Sequence, residues 1–518
     1  MCQSPMTRTH RGIRPRLLTL VRLLDLIKFF LPILPEVELP DEKISFDERI
    51  IFTVGSGIIF LFGQLPLFGL VSGAEYKVVD PFFSVRSIFA MEKASLLELG
   101  LLPLITAGFL WQLAAGLKLI KVNFNLRQDR ELFQSGQKLT ALFLSIVYSA
   151  GLIYSGYYDN VIQKYDPLNG DSAPLGTYVL LFLQINAWSF ILTLLVDVFD
   201  KGYAFGSGIL CFLTLQTATT LVRDLVGLEV TPLLNSNRVE SYGALINLVR
   251  NFSIFNLSQL NSSIVNAFTR LQLPNLNQFY ISLLTILAII GLQNYRIELP
   301  IRSTKVRGMN NVYPIRLLYT GALPVLFAYT VIVNFQIFGF FLVTILNKFG
   351  IAPVLIDSLL GKFNAEITTN NLVLKSGILY YFSNSTSLLQ SLLSPIKTVV
   401  YSVSVVLLSV WFANKWSYIS GSSPRDISKQ FKEQGISITG KRDISITKEL
   451  SRVIPVAAVS GGFALAVLAV GGEFLGGLGK GISTIIGVSS AFGILEEFMI
   501  EYQQTGGNSQ FSSAFGGQ

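Results

Sequence analysis

The sequence predicts an all-α polytopic membrane protein with ten transmembrane helices, and three observations support this fold class. The chain of 518 residues is 51% hydrophobic and only 14% charged, whereas soluble domains contain about 25% charged residues. Its mean hydropathy is +0.54. A helix needs roughly 20 consecutive apolar residues to cross the hydrocarbon core of a bilayer, and ten stretches of this chain approach that length.

The N-terminal segments are predicted to stay outside the membrane core. Residues 1–13 are basic and are interpreted as an unstructured leader. Apolar residues then recur at helical spacing from Arg14 to about Leu31, which predicts an amphipathic helix lying in the cytosolic interface. A proline-rich stretch ends that helix. Residues 14–49 are therefore interpreted as an amphipathic helix and a linker.

The ten predicted spans fall into two groups of five. Residues 50–227 form an N-terminal half and residues 276–500 a C-terminal half, with a lumenal connecting loop at 228–275 and a flexible tail at 501–518. The individual spans cover about 50–70, 97–117, 133–155, 176–199, 206–227, 276–295, 317–346, 396–414, 453–474 and 482–500. The equal count permits two pseudo-symmetric halves related as an inverted five-plus-five repeat.

The distribution of charge predicts the topology. Basic loops between membrane helices stay on the cytosolic side, which assigns loops 296–316 and 415–452 to the cytosol together with both chain termini. Arginine side chains bind phosphate through paired hydrogen bonds, so structured RNA is a natural partner for these two loops. Four N-x-S/T sequons all fall in loops assigned to the lumenal side: Asn251, Asn256, Asn261 and Asn384.

One apolar segment is too short to be a span. Residues 81–92 would rise only about 18 Å as a helix, and they follow the turn-forming pair Asp80-Pro81. A half-helix that enters the membrane from the lumenal side and lines a cavity is one interpretation. An interfacial helix on the surface is the other.

The residue inventory argues against catalysis. His10 is the only histidine, and Cys2 and Cys211 are the only cysteines, so we expect no metal site, no cofactor and no enzymatic activity. The carboxylates near the spans are more simply explained as solvated helix ends: Glu98, Asp197, Asp200, Glu473, Glu496 and Glu497. A secondary transporter of small solutes remains an alternative, although the middles of the spans are nearly free of charge.

The chain resembles the SecY family, specifically the channel-forming alpha subunit of the eukaryotic Sec protein translocon, from about Leu23 to Gln503. The motifs that carry the resemblance are LLDLIKFFLPILPEVELP at 23–40, DPFFSVRSIFA at 80–90, LLELGLLPLITAG at 96–108, QDRELFQSGQK at 128–138, KGYAFGSGI at 201–209, ELPIRSTKVRG with YPIRLLYTG at 298–321, and ISGSSPRDISKQFKEQGISITGKRD at 419–443. The residue sequences of several motifs are more similar to those of the alternative fungal channel subunit than to those of the principal one.

The resemblance implies a function and a set of partners. It implies a protein-conducting channel of the endoplasmic reticulum membrane that passes signal-bearing nascent chains across the membrane or laterally into the lipid, mainly during translation. It also implies a heterotrimer with small beta and gamma subunits. The other implied partners are the ribosome, through its RNA and exit-site proteins, signal sequences, and membrane lipids.

The resemblance also assigns roles to residues. The pore ring would consist of Leu101, Ile105, Ile209, Leu213, Leu326 and Ile486. The plug would be segment 81–92 with Phe82, Phe83, Arg86 and Ile88, and the lateral gate would contain Thr106 and Asn334. The ribosome-binding residues would be Arg302, Lys305, Arg307, Lys441 and Arg442.

Two positions depart from the family pattern. Tyr148 stands where the third span is expected to supply a glutamine to the gate, and Gln390 stands where an acid is expected to pair with Arg86. Both departures place a family-like balance between the open and closed gate in doubt.

Overall fold

The computed structural model describes residues 24, 27–32, 34–71, 73, 78–117, 119–120, 122, 126–162, 175–233, 239–251, 257–270, 272–303, 310–350, 353–366, 371–385, 387–419, 423–434, 436–438 and 443–504. The predicted leader, most of the predicted amphipathic helix and the tail from residue 505 lie outside this set. Leu24 and Ile27 of that helix are described; both are buried and pack in a cluster with Trp111, Leu132 and Phe133.

The described part of the chain contains sixteen α-helices. They are α1 (Phe46–Phe62), α2 (Leu102–Gly116), α3 (Arg127–Tyr154), α4 (Leu175–Asp200), α5 (Gly208–Val226), α6 (Ala244–Arg250), α7 (Leu257–Thr269), α8 (Leu276–Asn294), α9 (Leu323–Lys348), α10 (Pro353–Leu359), α11 (Ile378–Tyr381), α12 (Leu388–Leu393), α13 (Pro395–Ile419), α14 (Pro424–Gln434), α15 (Asp443–Phe474) and α16 (Lys480–Gln504). Helix α1 begins with a capping box, in which Ser45 and Glu48 each accept a hydrogen bond from the other's backbone N–H.

Ten of these helices coincide with the ten predicted spans: α1 to α5, α8, α9, α13, α15 and α16. Eight of the ten are long and apolar enough to cross a membrane, whereas α1 and α2 are shorter, with 17 and 15 residues. The polytopic helical fold class is thereby confirmed. Some boundaries differ from the prediction: α15 begins ten residues before the predicted 453, and α16 continues to Gln504, four residues into the predicted tail.

The described strands are β1 (Val230–Pro232), β2 (Val239–Ser241), β3 (Arg296–Ser303), β4 (Asn310–Arg316), β5 (Phe363–Ala365), β6 (Leu372–Leu374) and β7 (Ile436–Ile438). Strands β3, β4 and β7 form one antiparallel sheet in the order β4-β3-β7. The sequence suggested two separate basic loops here. The structure instead joins them through backbone hydrogen bonds, because Arg302 of β3 lies opposite Ser437 of β7.

An apolar cluster formed with α14 and α15 packs against one face of this sheet. Ile315 of β4 packs with Phe431 of α14 and with Leu450 of α15, and the rings of Tyr313 and Phe431 meet edge to face at 5.1 Å. Burial raises the pKa of the Tyr313 hydroxyl. The first turns of α15 therefore belong to the base of the sheet and not to a membrane span, which explains the early start of that helix.

The sheet and the segment 81–92 lie on opposite sides of the membrane, because five of the ten helices separate them along the chain. We call these the sheet side and the plug side. The two halves of the chain meet along α5 and α16 through polar contacts: the hydroxyls of Thr217 and Ser483 are 2.9 Å apart, and Lys480 binds the carboxylate of Asp224 at 2.5 Å. Arg49 of α1 adds an ion pair with Glu501 near the other end of α16.

Replacing Leu450 by alanine tests the support of the sheet. Leu450 is fully buried, so Leu450→Ala is expected to cost about 2–5 kcal/mol and to make the segment 415–452 more sensitive to trypsin in limited proteolysis. Val456→Ala on the same helix is the matched control, since Val456 is 65% exposed and its truncation is expected to change stability by less than about 0.5 kcal/mol. Equal cleavage rates in the two variants would contradict the assigned role.

Candidate functional site

The six aliphatic residues assigned to a pore ring fall in one apolar region of the structure. They come from α2 and its N-terminal boundary, α5, α9 and α16, and all six belong to or pack against one apolar cluster. Five are at most 3% exposed, and Ile209 is half-buried. Aliphatic side chains that close a narrow passage exclude water and ions without forming bonds that a passing chain would have to break.

A cavity lies on each side of this ring. The cavity on the sheet side has a volume of about 320 Å³ and is lined by Ser207 and Arg316 as well as by the ring residues Leu326 and Ile486. The cavity on the plug side has a volume of about 300 Å³. Along α16, Lys480 lines the plug-side cavity and Ile486 the other, so the two cavities lie at different levels of this helix.

Segment 81–92 packs in the same apolar cluster, in a form that differs from the predicted half-helix. It consists of turns around one 3-10 turn, Arg86–Ile88, and its backbone bonds to neighbouring segments: the N–H of Leu101 donates to the carbonyl of Phe89 at 2.9 Å. Phe82 and Ile88 are buried in the apolar cluster of the ring. The half-buried Phe83 lines the plug-side cavity.

A glycine fixes how closely the turn before α16 approaches this segment. Gly479 has a φ of +80°, and a Cβ at this position would lie 2.2 Å from the carbonyl oxygen of Ser84. Only glycine combines this left-handed backbone with that contact. The backbone N–H of Gly479 also donates to the carboxylate of Glu473 at the end of α15, at 2.7 Å.

Arg86 anchors the segment through a buried ion group. Its guanidinium donates to Asp80 at 2.5 and 3.1 Å, to Glu98 at 2.6 Å and to the hydroxyl of Tyr157 at 2.7 Å. All four residues are at most 8% exposed. Burial alone would raise the pKa of Asp80, but the adjacent guanidinium outweighs burial and holds that pKa below its ordinary value. The same carboxylates raise the pKa of Arg86.

The ion group corrects two sequence-based interpretations. Gln390 suggested that Arg86 lacks an acidic partner, but Asp80 and Glu98 supply two. The interpretation as solvated helix ends is wrong for Glu98, Asp197 and Glu473, which are at most 2% exposed. The sequence did contain a signal for this ion group, because Asp80 and Glu98 are acidic residues in a mostly apolar stretch around Arg86.

The other carboxylates have identifiable partners. Asp197 binds Lys138 at 2.6 Å and accepts the N–H of Val37, which ties the N-terminal linker to α3 and α4. Exposed Glu496 binds both terminal nitrogens of Arg316, at 2.6 and 2.7 Å. Arg316 is therefore partly neutralised within the chain. Within the described residues, no group of three His, Cys, Asp or Glu side chains is arranged to hold a metal ion.

The two residues assigned to the gate are hydrogen-bonded to each other. The amide nitrogen of Asn334 in α9 donates to the hydroxyl of Thr106 in α2 at 3.0 Å. The hydroxyl of Tyr148 in α3 donates to the amide oxygen of Asn334. Tyr148 thus supplies from the third span the polar contact for which a glutamine was expected, so one polar cluster links three helices.

Aromatic rings close the same seam toward the sheet side. Phe109 of α2 packs against Phe327 of α9 and Phe412 of α13, with ring centroids 5.3 and 5.2 Å apart. Such contacts contribute about 0.5–1.5 kcal/mol per pair beyond burial, yet they have no strict hydrogen-bond geometry. This seam is therefore easier to separate and re-form than the polar seam between α5 and α16.

The structure describes one of the five residues assigned to ribosome binding. Arg302 lies in β3, opposite Asn310 of β4 and Ser437 of β7. The other four lie outside the described residues: Lys305, Arg307, Lys441 and Arg442.

Two family models match the chain. The SecY model matches residues 95–495, and a model for the plug domain of Sec61p matches residues 58–93. Among curated relatives, the Sec sixty-one protein homolog of Saccharomyces cerevisiae is 40% identical over 496 residues, which are 96% of this chain and 98% of the relative. The protein transport protein SEC61 subunit alpha of Neurospora crassa is 35% identical over 92% of this chain and 96% of its own length.

Solved structures show the same similarity. The channel in the idle yeast Ssh1 complex bound to the yeast 80S ribosome is 38% identical and superposes with a TM-score of 0.73, over 96% of this chain and 98% of that one. The channel of a canine ribosome–channel complex from the endoplasmic reticulum is 23% identical, with a TM-score of 0.68 over 94% of this chain and 100% of that one. The second likeness concerns the fold alone.

Removing the cation of the ion group tests whether it holds segment 81–92. Arg86→Met leaves two buried carboxylates without compensation, which costs about 3–5 kcal/mol. Hydrogen–deuterium exchange of residues 81–92 is therefore expected to rise by at least about 100-fold. Glu98→Gln, which keeps the shape and removes one charge, is expected to change exchange in the same direction by a smaller factor.

Arg127→Met is the matched control for that experiment. The side chain of Arg127 is 75% exposed and pairs with Glu131 on the same helix, so its loss is expected to leave exchange of residues 81–92 unchanged. An unchanged exchange rate in Arg86→Met would show that apolar packing alone holds the segment.

Proposed function

The chain belongs to the SecY family, and from this membership and the geometry of its ring we propose that it is the channel-forming subunit of a protein translocon in the endoplasmic reticulum membrane. The observation that carries the proposal is a set of buried aliphatic residues with a cavity toward the sheet side and another toward the plug side, and with segment 81–92 packed in the same apolar cluster. Its relatives are named as protein-transport subunits, and the comparisons give no support to a secondary transporter.

The mechanism requires binding energy and no covalent chemistry. A signal sequence would partition between α2 and α3 on one side and α9 and α13 on the other, and would displace the cluster of Thr106, Asn334 and Tyr148. Each apolar residue contributes roughly 0.3–0.6 kcal/mol on entering the membrane, so a ten-residue core supplies about 3–6 kcal/mol. Shifting a two-state gate from 1:99 to 99:1 takes about 5.5 kcal/mol, which is within that range.

The plug and the ring would then respond to the passing chain. Once α2 moves, Glu98 just before it moves with respect to Arg86, and the contacts that hold segment 81–92 weaken. The ring residues would yield around the polypeptide because dispersion contacts between aliphatic groups have no fixed partner. No enzymatic step and no cofactor enter this mechanism; energy comes from the ribosome or from other partners.

The partners are part of the proposal. The sheet side would face the cytosol, with both termini, and would bind the ribosome through Arg302, Lys305, Arg307, Lys441 and Arg442. One similar solved structure is a yeast complex bound to the yeast 80S ribosome. Small beta and gamma subunits would complete a heterotrimer, and membrane lipids would surround it.

Reconstitution with ribosome–nascent chain complexes tests the proposed function. A photoreactive amino acid at Leu326 or Ile486 is expected to crosslink to a stalled nascent chain, because both residues belong to the ring. The same group at Val456, which is 65% exposed on the outside of α15, is the control. Absence of crosslinks to the ring positions, with ribosomes bound, would exclude a protein-conducting channel.

Charge reversal separates ribosome binding from conduction. The double variant Arg307→Glu and Arg442→Glu is expected to weaken ribosome co-sedimentation by at least about tenfold, since each charged hydrogen bond is worth roughly 1.5–3 kcal/mol. Arg130→Glu, at an exposed position on the same side of the membrane, is the control. Equal binding by both variants would contradict the assigned docking residues.

Replacing the hydroxyl of Tyr148 tests the gate. Tyr148→Phe removes one interhelical hydrogen bond worth about 0.6–2 kcal/mol, which corresponds to a roughly 3- to 30-fold shift toward the open state. Reporters with shortened signal cores are expected to be translocated more efficiently by this variant. Tyr154→Phe on the same helix is the control, because Tyr154 is 49% exposed; unaltered selectivity in Tyr148→Phe would exclude the cluster from gating.

A further inference from the structure

We propose that α7 is an in-plane membrane helix whose outer face binds lipid in the headgroup region of the plug-side leaflet. This helix belongs to the segment that connects the two halves of the chain, and it contributes nothing to the ring or the gate described above. The proposal rests on the orientation of the helix, on its exposed apolar side chains, and on their continuity with a lipid-facing surface.

The inner face of α7 is fixed by contacts with its neighbours. Ala267 is 1% exposed and packs with Ala244 of α6 and Leu276 at the start of α8. The amide of Asn266 donates to the carboxylate of Glu240 in the adjacent hairpin at 3.3 Å. These two contacts prevent the helix from turning its opposite face toward the protein.

The outer face is apolar and uncovered. Ile264, Val265 and Phe268 are 39%, 51% and 42% exposed. Residues three, four and seven positions apart lie on one face of a helix, so Asn261 lies on the same face. A helix that is fixed to the protein on one side can place an exposed apolar face such as this one into the membrane interface.

The outer face continues a surface that lipid must cover. The ring of Phe268 stacks on Tyr280 of α8, with centroids 6.1 Å apart and planes 5° from parallel. Tyr280 begins an exposed stripe along α8, a helix long and apolar enough to span the membrane. The stripe consists of Tyr280, Leu283, Leu284 and Leu287, which are 52%, 41%, 65% and 63% exposed.

The position of the stacked pair of Phe268 and Tyr280 indicates how deep the outer face of α7 lies in the membrane. Tyr280 follows the first residue of α8 by four positions, which is about 6 Å along the helix axis. Aromatic residues concentrate at this level, where the headgroups meet the acyl chains. Lipid that covers the stripe of α8 near Tyr280 therefore reaches the outer face of α7 as well. For this reason we propose lipid, and not a soluble partner, as the occupant of that face.

Collision measurements with a spin label test the proposal. Single-cysteine variants are made in a Cys2→Ser, Cys211→Ser background of the full chain and reconstituted in phosphatidylcholine vesicles. A label at Phe268→Cys is compared with Leu284→Cys on the lipid-facing stripe and with Val312→Cys, which is 52% exposed in the sheet outside the membrane. Molecular oxygen reports contact with lipid, and a water-soluble nickel chelate reports contact with water.

The oxygen-to-nickel ratio at residue 268 is expected to approach that at residue 284 within about twofold and to exceed that at residue 312 by at least about fivefold, as for a side chain buried 5–10 Å into the interface. A ratio equal to that at residue 312 would place α7 in water and overturn the proposal. Low accessibility to both reagents would indicate a protein partner and would overturn it too.

Two additional measurements keep the test decisive. If the Phe268 variant does not fold, Val265→Cys reports on the same face, because Val265 is more exposed than Phe268 and has no aromatic stacking partner to lose. An endoglycosidase-sensitive glycan on Asn261 would also overturn the proposal, since a bulky polar glycan on the outer face is incompatible with contact between that face and lipid.

Discussion

The buried guanidinium of Arg86 is shared among segment 81–92, the approach to α2 and the turn after α3, and the position of that segment depends on this sharing. Apolar packing is non-directional, so the contacts of Phe82 and Ile88 alone would allow segment 81–92 many positions beneath the ring. The hydrogen bonds of Arg86 to Asp80, Glu98 and Tyr157 select one of them. The same ion group connects segment 81–92 to α2, the helix that contains residues assigned to the pore ring and to the gate.

The two seams between the halves differ in chemistry, and the difference indicates where the molecule opens. The seam of α5 and α16 carries the ion pair of Asp224 with Lys480 and a contact between the hydroxyls of Thr217 and Ser483, and Arg49 of α1 adds an ion pair with Glu501 of α16. The seam of α2, α3 and α9 carries one uncharged polar cluster and a group of aromatic rings. Leaving a buried ion without its partner costs about 3–5 kcal/mol, whereas an aromatic contact is worth about 0.5–1.5 kcal/mol, so the second seam is the one that we expect to separate.

Much of the fold was predictable from sequence because the bilayer restricts what can cross it. The ten spans follow from apolar length, whereas the ring residues followed only from the family motifs, since aliphatic residues that close a pore and those that face lipid have the same composition. The three-stranded sheet was not predictable from local pattern: Ser303 and Ile436 pair across 133 positions. Glu98 was misassigned because proximity to a helix end suggested solvent, while the fold covers that end. Tyr148 shows that a hydroxyl can take the place of an amide when only one donor is needed.

Helix α15 contacts the sheet at one end and the turn before α16 at the other. Its 32 residues correspond to about 48 Å; Ile446 and Leu450 at one end support the sheet, and Glu473 at the other end holds Gly479 against the plug. The two ends of this one helix therefore connect the sheet with segment 81–92 through continuous backbone. Pro455 lies inside the helix, and because proline has no backbone N–H, one helical hydrogen bond is missing there.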